Sequence, residues 1–186
     1  MEIKPLEIEG AFEILPSPIR DARGYFMRTY DRELFAEHGL QTEWLQENQS
    51  GNHRAGILRG FHFQAPPHAE TKLVRAVVGR VLDVFVDIRR SSPTYGRYAM
   101  VELSGETQNM VYIPRGCAHA YLTLSGESIV SYKVDAVYAP DAEGGLLWND
   151  PTLNIPWPVK TMPLVSEKDA RWPKWADFIS PFMEGE

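Results

Sequence analysis

Fourteen glycines and fourteen prolines are scattered along the 186 residues rather than gathered into a linker. They cut the chain into short runs, and punctuation of this kind leaves little room for long helices. The runs between them are rich in β-branched and aromatic residues and bounded by Gly, Pro, Ser or Asn, the pattern of strands. The spacing predicts strands over 11–15, 25–30, 42–47, 57–64, 71–78, 80–88, 98–103, 110–113, 120–124 and 128–138. Runs 71–78 and 80–88 flank Gly79, which predicts a hairpin with a tight turn. Helix is predicted over 31–38, where Asp31 is the N-cap, Leu34, Phe35 and His38 share a side and Gly39 is the stop. A second helix is predicted from Ser166, where SEKD reads as a capping box and Pro173 limits extension. The pattern implies an all-β fold, an antiparallel double-sheet jelly roll with a few short helices. It forms one domain over 1–186 with a helical tail from about residue 166.

Composition narrows the classes of function. A chain of this length buries roughly 70% of its unfolded surface, so neither disulfides nor a metal is needed for folding. The 19 Lys+Arg against 25 Asp+Glu give a formal charge of -6 with no basic cluster, which argues against a nucleic-acid partner. No apolar run is long enough to span a bilayer, and MEIKPLEIEG lacks the basic start and apolar stretch of a signal peptide. The sole cysteine, Cys117, has no internal disulfide partner. Together these read as a cytoplasmic protein without a membrane partner.

Period-2 alternation asks which polar side chains point into such a barrel. Tyr132 shares a face with Val130 and Val134, which directs it inward. Lys72 shares its face with Val74, Ala76 and Val78; an ammonium there needs an anion. His62 lies with Leu58 and Gln64, opposite Arg59, Phe61 and Phe63. Strict alternation therefore separates His62 from Arg59, and a bulge at Gly60 would let both reach one cavity. Each residue also has a plainer reading. A strand histidine or tyrosine can sit at a rim, Lys72 can snorkel to water, and Asp169 can satisfy backbone donors as the third residue of a capping box. His119 can close a turn after Pro114 and Gly116, and Arg23 can be a solvated loop residue. Metal binding is disfavoured: His62 has no histidine two residues on, and Lys72 stands where a carboxylate ligand would come. His62, His68 and His119 remain the conceivable set. There is no Gly-rich phosphate loop and no GxSxG.

The ordered blocks LRGFHFQ, KLVR, GRVLDVFVDIRRSSPTYG, IPRGCAHAY, YKVDAVYAP, EGGLLWNDP and IPWP resemble the dTDP-4-dehydrorhamnose 3,5-epimerase family, over residues 21–170. The resemblance implies a cupin-like jelly roll that uses neither metal nor cofactor, works as a homodimer with N-terminal strands crossing between subunits, and takes a nucleotide-sugar substrate. It implies His62 as general base held by Asp169, Tyr132 as general acid and Lys72 at the enolate oxygen. It also implies Arg23, Phe26, Arg28, Gln46, Asn48, Arg59, His119, Glu143 and Lys168 as substrate contacts, with Tyr138 stacked on the base. Two departures stand out: Arg28 occupies the family's usual glutamate position, and AHAY replaces AHGF. The alternatives are epimerisation at C3 or C5 alone on another nucleotide-linked 4-keto sugar, a non-catalytic sugar-nucleotide-binding module, and a metal-dependent cupin.

Overall fold

The structure, a computed structural model, describes residues 1–183, so the last three residues of the 1–186 domain lie outside the described residues. The elements in chain order are β1 (Glu2–Pro5), β2 (Phe12–Leu15), β3 (Ile19–Asp21), β4 (Gly24–Phe26), α1 (Arg32–Glu37), β5 (Gln46–Asn52), β6 (Leu58–Gln64), β7 (Lys72–Val78), β8 (Arg80–Asp87), β9 (Tyr98–Ser104), β10 (Met110–Ile113), β11 (Cys117–Thr123), β12 (Ser128–Val134) and β13 (Glu143–Gly145). A six-stranded sheet in the order β1-β2-β10-β7-β12-β5 faces a five-stranded sheet in the order β13-β6-β11-β8-β9, and β3-β4 stands apart as a ribbon. The strand pairs are antiparallel, as a jelly roll requires. No helix among the described residues is long and apolar enough to cross a membrane.

The core follows from alternation. Val74 and Ala76 on β7, Val111 and Ile113 on β10 and Val130 on β12 meet Val81 and Phe85 on β8 and Val101 and Leu103 on β9. The second side of each sheet is also covered. Val84, Val86, Phe61 and Phe63 pack under Leu146, Leu153 and Phe182, while Leu73 and Met110 pack under Phe35 and Leu40 at α1. This explains why runs such as VLDVFVD carry apolar residues on both alternating faces.

Several expectations are corrected. β7 and β8 do not pair as a hairpin: β7 lies between β10 and β12, and β8 between β11 and β9. Gly79, at φ +72, carries the chain from one sheet to the other, because two strands already flanked on both sides have no free edge for each other. The 42–47 strand runs instead from Gln46 to Asn52, an edge strand of polar residues with little β signal. The 128–138 strand stops at Val134, and the 25–30 strand shrinks to Gly24–Phe26. The short β1, β3 and β13 carry no readable pattern.

Helix α1 agrees with its caps. The Asp31 carboxylate accepts from the N–H groups of Glu33 and Leu34 at 3.2 and 3.3 Å. The helical tail from Ser166 is only two 3₁₀ turns, Asp169–Arg171 and Trp175–Asp177. Half of the capping box forms, with the Asp169 N–H donating to Ser166 Oγ at 3.1 Å. The Asp169 carboxylate is turned to other partners.

Candidate functional site

Two cavities of about 510 and 450 Å³ open between the sheets, and His62 and Tyr132 line both. Arg59, Lys168 and Asp169 line the larger, and Lys72, Glu70, Tyr138 and Glu143 the smaller. The side chains that sequence alone sets on opposite faces of β6 meet here because of a bulge. His62 pairs with His119, yet Arg59 pairs with Tyr121, so three steps along β6 match two along β11. Gly60 sits in this stretch at φ +117, and a Cβ there would lie 2.5 Å from the His119 carbonyl and 2.6 Å from the Ala120 Cα. Only glycine fits. The extra residue re-aims the strand and puts Arg59 and His62 on one cavity wall.

Asp169 fixes the imidazole. Its Oδ1 lies 2.7 Å from His62 Nε2, and its Oδ2 accepts the Gly60 N–H at 3.1 Å. The carboxylate is buried, and burial pushes its pKa up. The hydrogen bond and charge of His62, the Gly60 N–H and Ser166 outweigh that and hold it below the ordinary value. An ionised Asp169 accepts a hydrogen bond from the Nε2–H, which leaves Nδ1 as the basic nitrogen.

Across the cavity stands Tyr132, on β12. Burial first, then the negative charge of Glu70 and the neighbouring Tyr121, raise its pKa against the opposing charge of Arg59. The phenol therefore keeps its proton at neutral pH and is a donor. Lys72 is buried, as alternation on β7 predicts, with its Nζ 5.6 Å from the centroid of the Tyr132 ring. The anion it needs is Glu70, ion-paired with it inside the cavity.

Around this centre lie the remaining expected contacts. Arg59 Nε donates to Asn52 Oδ1 at 3.0 Å, which directs the guanidinium. The Tyr138 hydroxyl and Lys168 Nζ both donate to Glu143 Oε2, at 2.9 and 2.5 Å, and Gln46 Oε1 accepts the Tyr138 N–H at 2.9 Å. Burial raises the Glu143 pKa, but Lys168 and Tyr138 hold it below the ordinary value. Asn48 lines the smaller cavity. His119 does not close a turn: it lies within β11, its Nε2 2.8 Å from the Oδ2 of fully buried Asp83.

Four expected contacts do not line these cavities: His119, held by Asp83, and three others. Arg23 lies on the turn between β3 and β4, where it pairs with Asp21 at 2.6 Å. Phe26 is 70% exposed on β4. Arg28 pairs with Asp31 at 2.7 Å. Conversely, Glu70, Asn52, Ser50 and His53 belong to the site although no motif marks them, as does Tyr121, which lies in the IPRGCAHAY block with no role implied for it there. Glu70 is within reach of sequence reasoning, since it lies two residues before an inward lysine in need of a counter-charge. Among the described residues no group of three or more His, Cys, Asp or Glu is placed to hold a metal ion.

A jelly roll whose pocket sets an imidazole–carboxylate pair opposite a phenol, with an ammonium beside them, is built for proton transfer. The family model of dTDP-4-dehydrorhamnose 3,5-epimerase matches residues 5–177. A dTDP-4-dehydrorhamnose 3,5-epimerase of Shigella flexneri is 42% identical over 95% of this chain and 97% of its own length. Among solved structures, a Legionella pneumophila dTDP-6-deoxy-D-glucose-3,5-epimerase in complex with dTDP-4-keto-L-rhamnose superposes with a TM-score of 0.92 at 34% identity, over 97% of this chain and 96% of that one. ChmJ, a 3'-monoepimerase from Streptomyces bikiniensis, superposes with a TM-score of 0.88 at 36% identity, over 93% of this chain and 87% of that one. The chain belongs to the dTDP-4-dehydrorhamnose 3,5-epimerase family, a family of isomerases.

Proposed function

We propose that the protein epimerises a nucleotide-linked 4-keto-6-deoxyhexose, with dTDP-4-dehydro-6-deoxyglucose as substrate and inversion at C3 and C5. The observation that carries this reading is the shared wall: His62 and Tyr132 border both cavities, with Asp169 behind the one and Lys72 beside the other. A ketone at C4 acidifies the hydrogens on C3 and C5, because the electron pair left on carbon delocalises onto the carbonyl oxygen. Nδ1 of His62 takes the proton, and Asp169 stabilises the imidazolium that forms. The Lys72 ammonium meets the charge developing on oxygen. Tyr132 then returns a proton to carbon from the other side, which inverts the centre; the imidazolium of His62 gives its proton to solvent and the phenolate recovers one from it. Arg59 and Lys168 supply positive charge for the diphosphate, and the exposed ring of Tyr138 a platform for the base.

We further propose that the protein acts in the cytoplasm as a homodimer of one-domain subunits. The exposed Ile19, Tyr25 and Phe26 on the β3–β4 ribbon favour a second copy as their cover, which would bring Arg23, Phe26 and Arg28 to a neighbouring site. Inversion at C3 alone is the second reading, favoured by the likeness to ChmJ. Incubation with dTDP-4-keto-6-deoxyglucose in deuterated water tests both. Label at C3 and C5 supports double epimerisation, label at C3 alone supports the second reading, and no label in any 4-keto sugar nucleotide refutes the enzyme.

A further inference from the structure

The base, the acid and the carbonyl partner leave two carboxylates of the smaller cavity without a part in the reaction, Glu70 and Glu143. Glu70 lies in the loop between β6 and β7, ion-paired with Lys72, and the two side chains are only 12% and 9% exposed. Gln64 holds this loop, its Nε2 donating to the His68 carbonyl at 2.9 Å and facing Glu70 Oε2 at 3.4 Å. An ion pair this dry gains little stability over an apolar pair of similar size, so stability is a poor reason for it. Its position is a better one, since the pair shares its cavity with His62 and Tyr132.

Resting on the epimerase reading above, we propose that Glu70 is a positioning residue, whose carboxylate clamps the Lys72 ammonium beside the hexose carbonyl and sets the charge that Tyr132 faces. The charged and titratable groups around Tyr132 come from several elements: Lys72 from β7, His62 and Arg59 from β6, Tyr121 from β11, Glu143 from β13 and Glu70 from its loop. Glu143 is engaged by Lys168 and Tyr138, which leaves Glu70 as the carboxylate that bears on both Lys72 and Tyr132. After burial, Glu70 is the next cause that pushes the Tyr132 phenol up. In the reaction Glu70 neither gains nor loses a proton. The C–H proton passes to His62, the electron pair moves onto the carbonyl oxygen beside the clamped Lys72 ammonium, and the pair returns to carbon with the proton of Tyr132, after which His62 gives up a proton to solvent and Tyr132 regains one from it.

The test compares Glu70→Gln and Glu70→Asp with the wild-type chain in two assays. Label exchange from deuterated water gives kcat and KM across pH, and ultraviolet difference titration against Tyr132→Phe follows the Tyr132 phenol without substrate. The expected result for Glu70→Gln is a kcat at least tenfold lower with KM within twofold. The basic limb of the kcat profile and the Tyr132 titration should both move to lower pH, and Glu70→Asp should recover most of the loss. The proposal is overturned if the titration and the basic limb stay in place, or if KM rises while kcat holds. Equal losses in both variants, with matching losses of thermal midpoint, overturn it as well. A wild-type chain that exchanges no label sinks the epimerase reading and the positioning role with it. A titration that does not move, in a wild-type chain that does exchange label, sinks the role of Glu70 alone.

Discussion

Replacing Asp169 by asparagine removes one charge from the centre and keeps the shape, and its effect is set by the two hydrogen bonds that the carboxylate accepts. Oδ1 meets His62 Nε2 at 2.7 Å and Oδ2 meets the Gly60 N–H at 3.1 Å. An asparagine has one acceptor and one donor group to offer at these places. If its oxygen faces His62, its NH₂ is pressed against the Gly60 N–H, donor against donor. If it flips, the oxygen accepts from Gly60 and the NH₂ donates to Nε2. That satisfies every group but moves the imidazole proton to Nδ1, the nitrogen that should take the substrate's proton. Loss of a charged hydrogen bond alone is worth about 1.5–3 kcal/mol, or roughly 10- to 150-fold in rate. A wrong tautomer costs up to about 10⁴-fold where the comparable change has been made in a Ser-His-Asp triad. The expected fall in kcat for deuterium exchange at C3 and C5 is therefore about 10²- to 10⁴-fold, with nucleotide affinity nearly unchanged. A variant within threefold of the wild-type rate would refute the assignment of Asp169 as the group that orients the base. Stability offers an independent check. The folded-state pKa of Asp169 is depressed, so its stabilising contribution is present above the unfolded carboxyl value and lost as pH falls through the folded one. The difference in thermal midpoint between wild type and Asp169→Asn should accordingly shrink on acidification below about pH 4. A difference that grows would contradict the sign of the shift.

Three more substitutions probe the same geometry. Gly60→Ala forces a side chain onto the His119 carbonyl and the Ala120 Cα at a φ of +117. It should cost about 1–3 kcal/mol, read as a midpoint lower by roughly 2–12 °C; an unchanged midpoint would mean that the bulge is not needed. Asn52→Ala frees Arg59 Nε and should raise KM several-fold while sparing kcat, whereas a purely kcat effect would speak against Arg59 as a substrate contact. Tyr132→Phe should slow inversion far more than loss of the C–H label. Equal effects on both would remove the phenol as the acid.

Much of the architecture is legible in the sequence because it rests on local signals. Alternation places Lys72 and Tyr132 inward, and the Asp31 cap and Gly39 stop bound α1. The pairing of β7 and β8 is not legible, because adjacency along the chain says nothing about a strand's second neighbour. The Ser166 capping box misleads for a different reason. Its carboxylate finds a stronger partner 107 residues away in His62, and no local rule weighs a distant imidazole. Phe26 and Arg28 carry chemistry the sequence makes visible, but this chain places them outside the cavities of His62 and Tyr132.

The order of apolar and polar residues was enough to determine the kind of fold and the inward lysine and tyrosine, and the ordered sequence blocks were enough for the resemblance to the family. These depend on period-2 burial and on motifs that are contiguous in sequence. Tertiary structure alone decided that His62 would face Asp169, that Glu70 would neutralise Lys72, and that a single extra residue beside Gly60 would bring Arg59 to the wall of the histidine. Those outcomes depend on register between strands and on through-space distances. Both arise only when the two sheets close on each other.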